Sequence, residues 1–282
     1  MGVNVSPERN RSLEDAIKGA DRALYRAKRS GKDRVEAYDE YLEELKQSLS
    51  VIDVREAIEM GRVLCYYQPV INLRTREISH YEALARIRNH KGDIVSPAYF
   101  LEDIKGTFIY TRFVKEIIRI NVELLSKNKD IEVSINLIPT DITDETVLSE
   151  LEAIDRKLRK RMLLEITEVE GIPSFEHMKN SVSRLRKLGY RICIDDFGAG
   201  YSNLINITQM RVDYLKIDGS IIKDITKNMT SRLLTKTITS FCKEVGIKVV
   251  AEYVENEAIL KTLIELGVDY GQGYYFSEPK PM

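Results

Sequence analysis

From Val63 onward the chain alternates short apolar runs with longer segments whose apolar positions recur at helical spacing. The runs Val63–Val70, Ile78–Leu84, Glu132–Leu137, Met162–Ile166, Arg191–Ile194, Tyr214–Ile217, Lys248–Ala251 and Tyr270–Phe276 predict strands. Between them, Thr111–Ser126, Thr143–Arg159, Phe175–Leu188, Thr230–Val245 and Asn256–Leu266 predict helices. The last two stop at Gly246 and Gly267, residues that suit a helix end. Eight strands with interposed helices imply a (β/α)8 barrel, with an open doubly wound sheet as the competing topology; the strand count favours the barrel.

The first 62 residues follow another pattern. Leu13–Arg29 reads as one amphipathic helix halted by Ser30-Gly31-Lys32, preceded by a strand-like Gly2-Val3-Asn4-Val5. One strand and one helix bury too little apolar surface to offset their ordering entropy, so this stretch reads as the tail of something larger. Glu40–Arg62 carries leucines and isoleucines at helical spacing and reads as a connecting helix or two, with a boundary near Asp53. Gly2 and Ser6 fit a myristoylation pattern, although a short strand ending at Ser6-Pro7 explains the same residues.

With 282 residues the chain accommodates one barrel of roughly 250 residues and an appendage. Its 43 Lys+Arg balance 44 Asp+Glu for a net charge of -1, which excludes the electrostatic footprint of a nucleic-acid polymer or acidic-membrane binder while leaving room for a small anion. No apolar run approaches the roughly 18 residues of a membrane span. Cys65, Cys193 and Cys242 are odd in number and far apart in apolar stretches, which implies core thiols and a reducing compartment, hence a cytoplasmic protein.

The polar residues carry the chemistry. Glu82, Asn136, Glu165, Asp195-Asp196, Lys216, Glu252 and Gln272 each stand at or just after the end of a predicted strand. In a barrel those ends converge on one face, so these positions share a pocket. A lone acid at a strand end is more often a helix cap or a salt-bridge partner, but seven such ends together are not explained that way. Several carboxylates in one pocket repel unless cations are present, and the all-oxygen set of Glu82, Asn136, Glu165, Asp195, Asp196 and Glu252 suits Mg2+ or Mn2+ rather than Zn2+. Asp195-Asp196 is suited to bridging two ions, which about 3.5–4 Å apart are a device for phosphodiester cleavage. Lys216 is either catalytic or a counter-charge. His80, His90 and His177 show no ligand spacing and read as strand, loop and helix surface residues; Arg156–Arg161 reads as a solvated helix end.

Val54–Met282 resembles the EAL domain, the cyclic di-GMP phosphodiesterase module of bacterial signalling proteins. The resemblance rests on Tyr67-Gln68-Pro69, Glu82-Ala83-Leu84-Ala85-Arg86, Ser96-Pro97, Ser134-Ile135-Asn136, Glu165-Ile166-Thr167-Glu168, Asp195-Asp196-Phe197-Gly198, Asp213-Tyr214-Leu215-Lys216-Ile217-Asp218, Ala251-Glu252, Val254-Glu255 and Gln272-Gly273-Tyr274. It implies a modified TIM barrel with one antiparallel strand and hydrolysis of cyclic di-GMP to the linear 5′-phosphorylated dinucleotide. The alternative is a weakly active domain acting as a cyclic di-GMP receptor. By the same resemblance, Glu82, Asn136, Glu165 and Asp195 hold one divalent ion, Asp195 and Asp196 the second, and Glu252 assists there. Mg2+ or Mn2+ is the expected ion and Ca2+ the inhibitor. Lys216 orients the attacking water; Gln68, Arg86, Pro97, Asp218 and Gln272 bind substrate; Glu168 and Glu255 brace loops. A homodimer through this domain is expected, and a longer protein could add an upstream sensor or membrane domain.

Two departures stand out: the family usually has glycine where Tyr253 stands, bulky enough to crowd the pocket mouth, and Leu101–Ile109 lacks the usual acidic, slightly longer pattern. Ala20–Lys28 and Gly31–Val35 resemble the carboxyl-terminal end of a GGDEF domain without its cyclase signature. The implied organisation is a GGDEF remnant over 1–40, a helical linker over 41–53 and the EAL domain over 54–282.

Overall fold

The computed structural model describes residues 2–4, 36–38, 49–167, 175–198 and 204–282. The expected helix Leu13–Arg29, the linker up to residue 48 and the loop residue Glu168 lie outside the described residues. Strands β1 (Gly2–Asn4) and β2 (Glu36–Tyr38) pair in parallel.

Helix α1 (Val51–Glu59) begins where a capping box allows it: the Asp53 backbone N–H donates to Ser50 Oγ, and the Ser50 backbone N–H donates back to the Asp53 carboxylate at 2.8 Å. Its Val54 and Ala57 are fully buried, so the helix containing Asp53 packs as part of the barrel. Strands β3 (Val63–Asn72) and β4 (Ile78–Arg88) follow as a hairpin. The five residues between them are too few for a crossover, which needs a dozen or more, so β3 must run antiparallel to β4. A two-residue β5 (Ile94–Val95) edges β4, and a short 3-10 turn over Pro97–Tyr99 leads into α2 (Leu101–Ile104).

From α3 (Phe108–Lys127) the chain alternates. Ile109, Phe113, Val114, Ile117, Ile118 and Leu125 recur at three- and four-residue intervals and bury one face of this helix. Next come β6 (Val133–Leu137), α4 (Glu145–Ala153), α5 (Arg156–Arg159), β7 (Met162–Thr167), α6 (Phe175–Leu188), β8 (Arg191–Phe197) and α7 (Leu204–Met210). The chain ends with β9 (Tyr214–Ile217), α8 (Gly219–Ile222), α9 (Met229–Glu244), β10 (Lys248–Ala251), α10 (Glu257–Glu265) and β11 (Tyr270–Gly271). The pattern Thr143–Arg159 predicts one helix; the structure breaks it at Ile154, because Asp155 caps a new helix by accepting from Lys157 N–H. Helices α9 and α10 are capped by Asn228 and Asn256, and their chains turn away at Gly246 and Gly267, both in the left-handed region at φ +77° and +78°.

The sheet closes. Strand order runs β3-β11-β10-β9-β8-β7-β6-β4 and returns from β4 to β3, giving an eight-stranded barrel with β5 as an extra strand. β3 is antiparallel to both of its neighbours, β4 and β11, while every other barrel pairing is parallel. The barrel reading therefore holds, including its one antiparallel strand, and the open sheet does not. No helix of the described residues is long and apolar enough to cross a membrane.

Candidate active site

Side chains of a strand alternate between faces, so residues two apart point the same way. On all eight barrel strands a pair with that spacing places a lower and an upper residue on one face: Val70 and Gln68 on the reversed β3, His80 and Glu82 on β4, Ser134 and Asn136 on β6, Leu163 and Glu165 on β7, Cys193 and Asp195 on β8, and Tyr214 and Lys216 on β9. Val250 with Glu252, and Tyr270 with Gln272, complete the set across the ends of β10 and β11. Val70, Leu163, Cys193, Tyr214 and Val250 form a small apolar cluster of their own, with Tyr270 packed against it. Each upper residue is polar.

The upper layer is organised around Lys216, which is 1 % exposed. Its ammonium lies 2.8 Å from Glu252, 2.9 Å from Glu165, 3.0 Å from Asp195 and 3.4 Å from Glu82. Burial opposes its charge, but the surrounding carboxylates outweigh burial and hold the Lys216 pKa well above the usual lysine value. Burial also pushes Glu82 upward, and there the Lys216 ammonium and the amides of Asn136 and Gln272 prevail, holding the carboxyl below its ordinary value. Asn136 Nδ2 donates to Glu82 Oε1 at 2.6 Å, and Gln272 Nε2 donates to Glu82 Oε2 at 2.5 Å and to Gln68 Oε1 at 3.0 Å. Gln68 in turn donates to the Ser277 carbonyl at 3.0 Å. Gln68 and Gln272 thus hold Glu82 in place from within the barrel wall.

The remaining carboxylates are short of positive charge. Burial, reinforced by Glu82 and Asp195, raises Glu165 to about 8, and burial, reinforced by Asp195 and Glu82, raises Glu252 to about 7 despite Lys216. Burial and the adjacent Asp195 raise Asp196 to about 6. One ammonium cannot balance this many acids, so the cluster is built for further cations.

A local irregularity brings Asp195 and Asp196 together. Consecutive residues of a regular strand face opposite ways, but the pairing of β8 with β9 shifts register between Ile194 and Phe197, and Asp196 takes a left-handed φ of +56°. Aspartate tolerates that conformation better than most residues. As a result Asp195, Asp196 and Glu252 each offer an oxygen within 4.8 Å of the others, a set that can hold a metal ion. The donors are all hard oxygens, which fits Mg2+ or Mn2+.

Two cavities flank this centre. One of about 450 Å3 is bounded by Arg86, Pro97, Asn136, Asp195 and Asp196, with Tyr110, Phe113 and Ile117 giving it an apolar back. Arg86 is half-buried there, its guanidinium 5.7 Å from the Tyr66 ring centre and donating to the Ala85 carbonyl at 2.7 Å. The other, of about 750 Å3, is bounded by Gln68, Glu82, Asp218, Glu252, Glu255 and Gln272. Asp218 also caps α8 by accepting from Ser220 N–H. The strand-end acids, the amides and Lys216 are therefore brought together, and Arg86, Pro97, Asp218 and Glu255 stand on the surrounding walls.

His80 corrects the sequence reading: it is a floor residue only 2 % exposed, stacked edge-on to Tyr214, and burial together with the Arg191 and Lys216 charges lowers it to about 3. His90 and His177 are exposed as expected. Arg161 is likewise more than a solvated helix end, since it donates to the carbonyls of Leu125, Asn128 and Ile131. Tyr253 lines the larger cavity, at the mouth where the sequence places it, and the residues not anticipated are Tyr110 on the smaller cavity and Tyr274 and Lys223 on the larger one. The apolar spacing of α3 hid Tyr110; the glycine-rich surroundings of Tyr274 offered no clear signal.

An eight-stranded α/β barrel with one reversed strand and an acidic, lysine-centred mouth defines a class of modified TIM-barrel proteins. Within it this chain belongs to the EAL domain family, whose profile matches residues 52–279. It is 31% identical over 283 residues to the cyclic di-GMP phosphodiesterase PdeB of Shewanella oneidensis, covering 96% of this chain and 33% of that protein. It is 32% identical over 245 residues to the probable cyclic di-GMP phosphodiesterase PdeA of Escherichia coli, covering 84% of this chain and 33% of that protein. The chain thus spans about a third of the length of these relatives. Among solved structures it is similar to the Bacillus subtilis YkuI protein with an EAL domain, in complex with substrate c-di-GMP and calcium. That match has a TM-score of 0.70 at 25% identity, covering 83% of this chain and 58% of that one.

Proposed function

We propose that this chain hydrolyses cyclic di-GMP to the linear 5′-phosphorylated dinucleotide. The observation that carries the reading is the ring of Glu82, Glu165, Asp195 and Glu252 about Lys216, with the Asp196 carboxylate folded in beside it by the β8 irregularity. The likeness to the cyclic di-GMP phosphodiesterase PdeB, to the probable cyclic di-GMP phosphodiesterase PdeA and to YkuI in complex with c-di-GMP supports the substrate.

In this reading Glu82, Asn136, Glu165 and Asp195 would hold one divalent ion, and Asp195 and Asp196, aided by Glu252, would hold a second. When bound, the ions polarise the phosphate and lower the pKa of water. Lys216, kept protonated by its carboxylates, supplies a fixed positive charge that orients the attacking water rather than a base. Arg86 meets a non-bridging phosphate oxygen from the smaller cavity. Water attacks phosphorus in line, a solvent-reached carboxylate such as Glu252 takes the water's proton, and the 3′ oxygen leaves with the electron pair of the broken bond and takes a proton from solvent to become the 3′-hydroxyl. Gln68 and Gln272 bind at the edge of the larger cavity while positioning Glu82; Pro97 and Asp218 shape the walls, and Glu168 and Glu255 brace loops. The same reading carries a cytoplasmic protein, a homodimer through the barrel, and residues 1–40 as a cyclase-type remnant without cyclase activity.

Incubation with cyclic di-GMP and Mn2+, followed by chromatography, tests the reading: the linear dinucleotide should form. It should not form with Ca2+, whose longer and looser coordination suits paired ions poorly. GTP with Mg2+ should yield no cyclic product. Cyclic di-GMP bound but left intact in Mn2+ would replace the phosphodiesterase with a receptor.

A further inference from the structure

Tyr253 has its backbone in the left-handed region, at φ +58°. For a bulky side chain this is strained, and such conformations persist where the surroundings impose them, often at ligand sites. Here the surroundings do. Val254, fully buried, ties down the chain directly after the ring, its N–H donating to the Gln272 carbonyl at 2.9 Å. The Glu255 carboxylate beside it raises the Tyr253 hydroxyl above the ordinary tyrosine value. At the root of the ring lies Gly219, where an added Cβ would stand 2.9 Å from Tyr253 Cβ, so the space exists only because residue 219 has no side chain.

A ring held this firmly would ordinarily be filling a core, yet Tyr253 is 48% exposed. It stands on the wall of the 750 Å3 cavity beside Glu252, with Tyr274, 64% exposed, on the same wall. The structure thus maintains a strained, fixed aromatic face toward an open cavity. The cavity lies on the Glu252 side of the acidic centre, and the Arg86 cavity lies on the Asn136 side. A ring-shaped dinucleotide with one phosphate at that centre carries its two bases outward in different directions, so one base falls to the Tyr253 side. Purines stack on aromatic rings without needing hydrogen-bond partners.

We infer that Tyr253 is the stacking platform for one guanine of the cyclic dinucleotide, an inference that rests on the proposed activity at this site. The close approach of Gly219 keeps the ring in the plane that the base meets. Tyr253 is thus a binding and specificity residue, and the reacting phosphate does not touch it.

Calorimetric titration with cyclic di-GMP in Ca2+, steady-state kinetics in Mn2+ and thermal unfolding together test this. Y253A should weaken binding about tenfold, within the range expected for one base–aromatic stack, with the kinetic loss falling in KM rather than kcat. Y253F and Y253W, which keep a ring, should bind within about twofold of the parent. Y253G should also bind about tenfold more weakly, yet its Tm should rise, because glycine adopts positive φ without strain. Affinity and stability moving in opposite directions is not what a merely structural tyrosine would show. Equal or tighter binding by Y253A and Y253G would overturn the inference and make Tyr253 a constriction at the mouth. If the unsubstituted protein binds no cyclic di-GMP, the proposed activity fails and the stack with it; if it binds and Y253A binds equally, only the stack fails.

Discussion

The two ends of the barrel are built from the same strands, two residues apart, and they follow opposite rules. At the floor, Val70, Leu163, Cys193 and Val250 pack with Tyr214, and the one histidine among them is kept neutral. At the mouth, Glu82, Glu165, Asp195 and Glu252 crowd around a single ammonium, and Asp196 and Tyr253 adopt left-handed backbone conformations. The floor is an apolar cluster with one neutral histidine; the mouth retains like-charge repulsion and backbone strain. Stability optimisation alone would not leave those costs clustered at one end, whereas a site prepared for cations and a phosphate diester accounts for them.

The sharpest test of this contrast is a pair of substitutions. Glu82→Ala should reduce hydrolysis more than about 100-fold while thermal unfolding stays cooperative, because losing even an outer partner of a metal ligand costs about 10–100-fold. Leu163→Ala, at a floor position 1% exposed, should do the reverse: about 2–5 kcal/mol of stability lost in a denaturant titration, with kcat little changed in what remains folded. If Leu163→Ala removed activity as fully as Glu82→Ala, the two ends would not be separable.

A smaller effect distinguishes the ends by pH. Asp141, beside the smaller cavity, accepts from the Tyr110 hydroxyl at 2.8 Å and from the Ile138 N–H at 2.8 Å, yet burial raises it from 3.8 to about 6. The folded chain therefore holds that proton more tightly than the unfolded chain, so this contribution to stability is present below pH 4 and is lost as pH rises to about 6. Across that window the loss is on the order of 3 kcal/mol. Asp141→Asn should flatten the fall in denaturation midpoint between pH 4 and 6; an unchanged slope would assign it elsewhere.

The floor should show the opposite sign. His80 is lowered from 6.5 to about 3, so its contribution is present above pH 6.5 and is lost as pH falls toward 3. His80→Leu should lessen acid sensitivity in that range and change stability at pH 8 by no more than about 1.5 kcal/mol, as a swap of similar volume does. Acid sensitivity identical to that of the parent would mean His80 titrates normally and the floor is open to water.

Much of this architecture was legible in the chain. Strand-length apolar runs between helix-period segments cannot be buried except in a closed or doubly covered sheet, and the glycines after α9 and α10 mark real helix ends. The convergence of Glu82, Glu165, Asp195, Lys216 and Glu252 could also be read, because parallel strands put their carboxyl ends on one face. Other features resisted. The run Tyr270–Phe276 looks like a full strand, yet pairing stops at Gly271; the chain turns at Gly273, where an added Cβ would collide with the backbone of Val254. His80 carries no local mark of burial, since its environment comes from Tyr214 and Arg191, more than a hundred residues away.

By itself the sequence determined the periodicity, the strand and helix inventory and which polar residues reach the strand ends, because these depend on local spacing and on the alternation of faces. It also determined the family through its ordered motifs. Only the tertiary structure decided that one ammonium is shared among four carboxylates, that a register shift in β8 turns Asp196 toward Asp195, and that Tyr253 stands strained against Gly219. Those outcomes depend on closing the sheet, which brings Gln68 within hydrogen-bond reach of Gln272 across 204 residues of chain; no window of sequence contains both sides of such a contact.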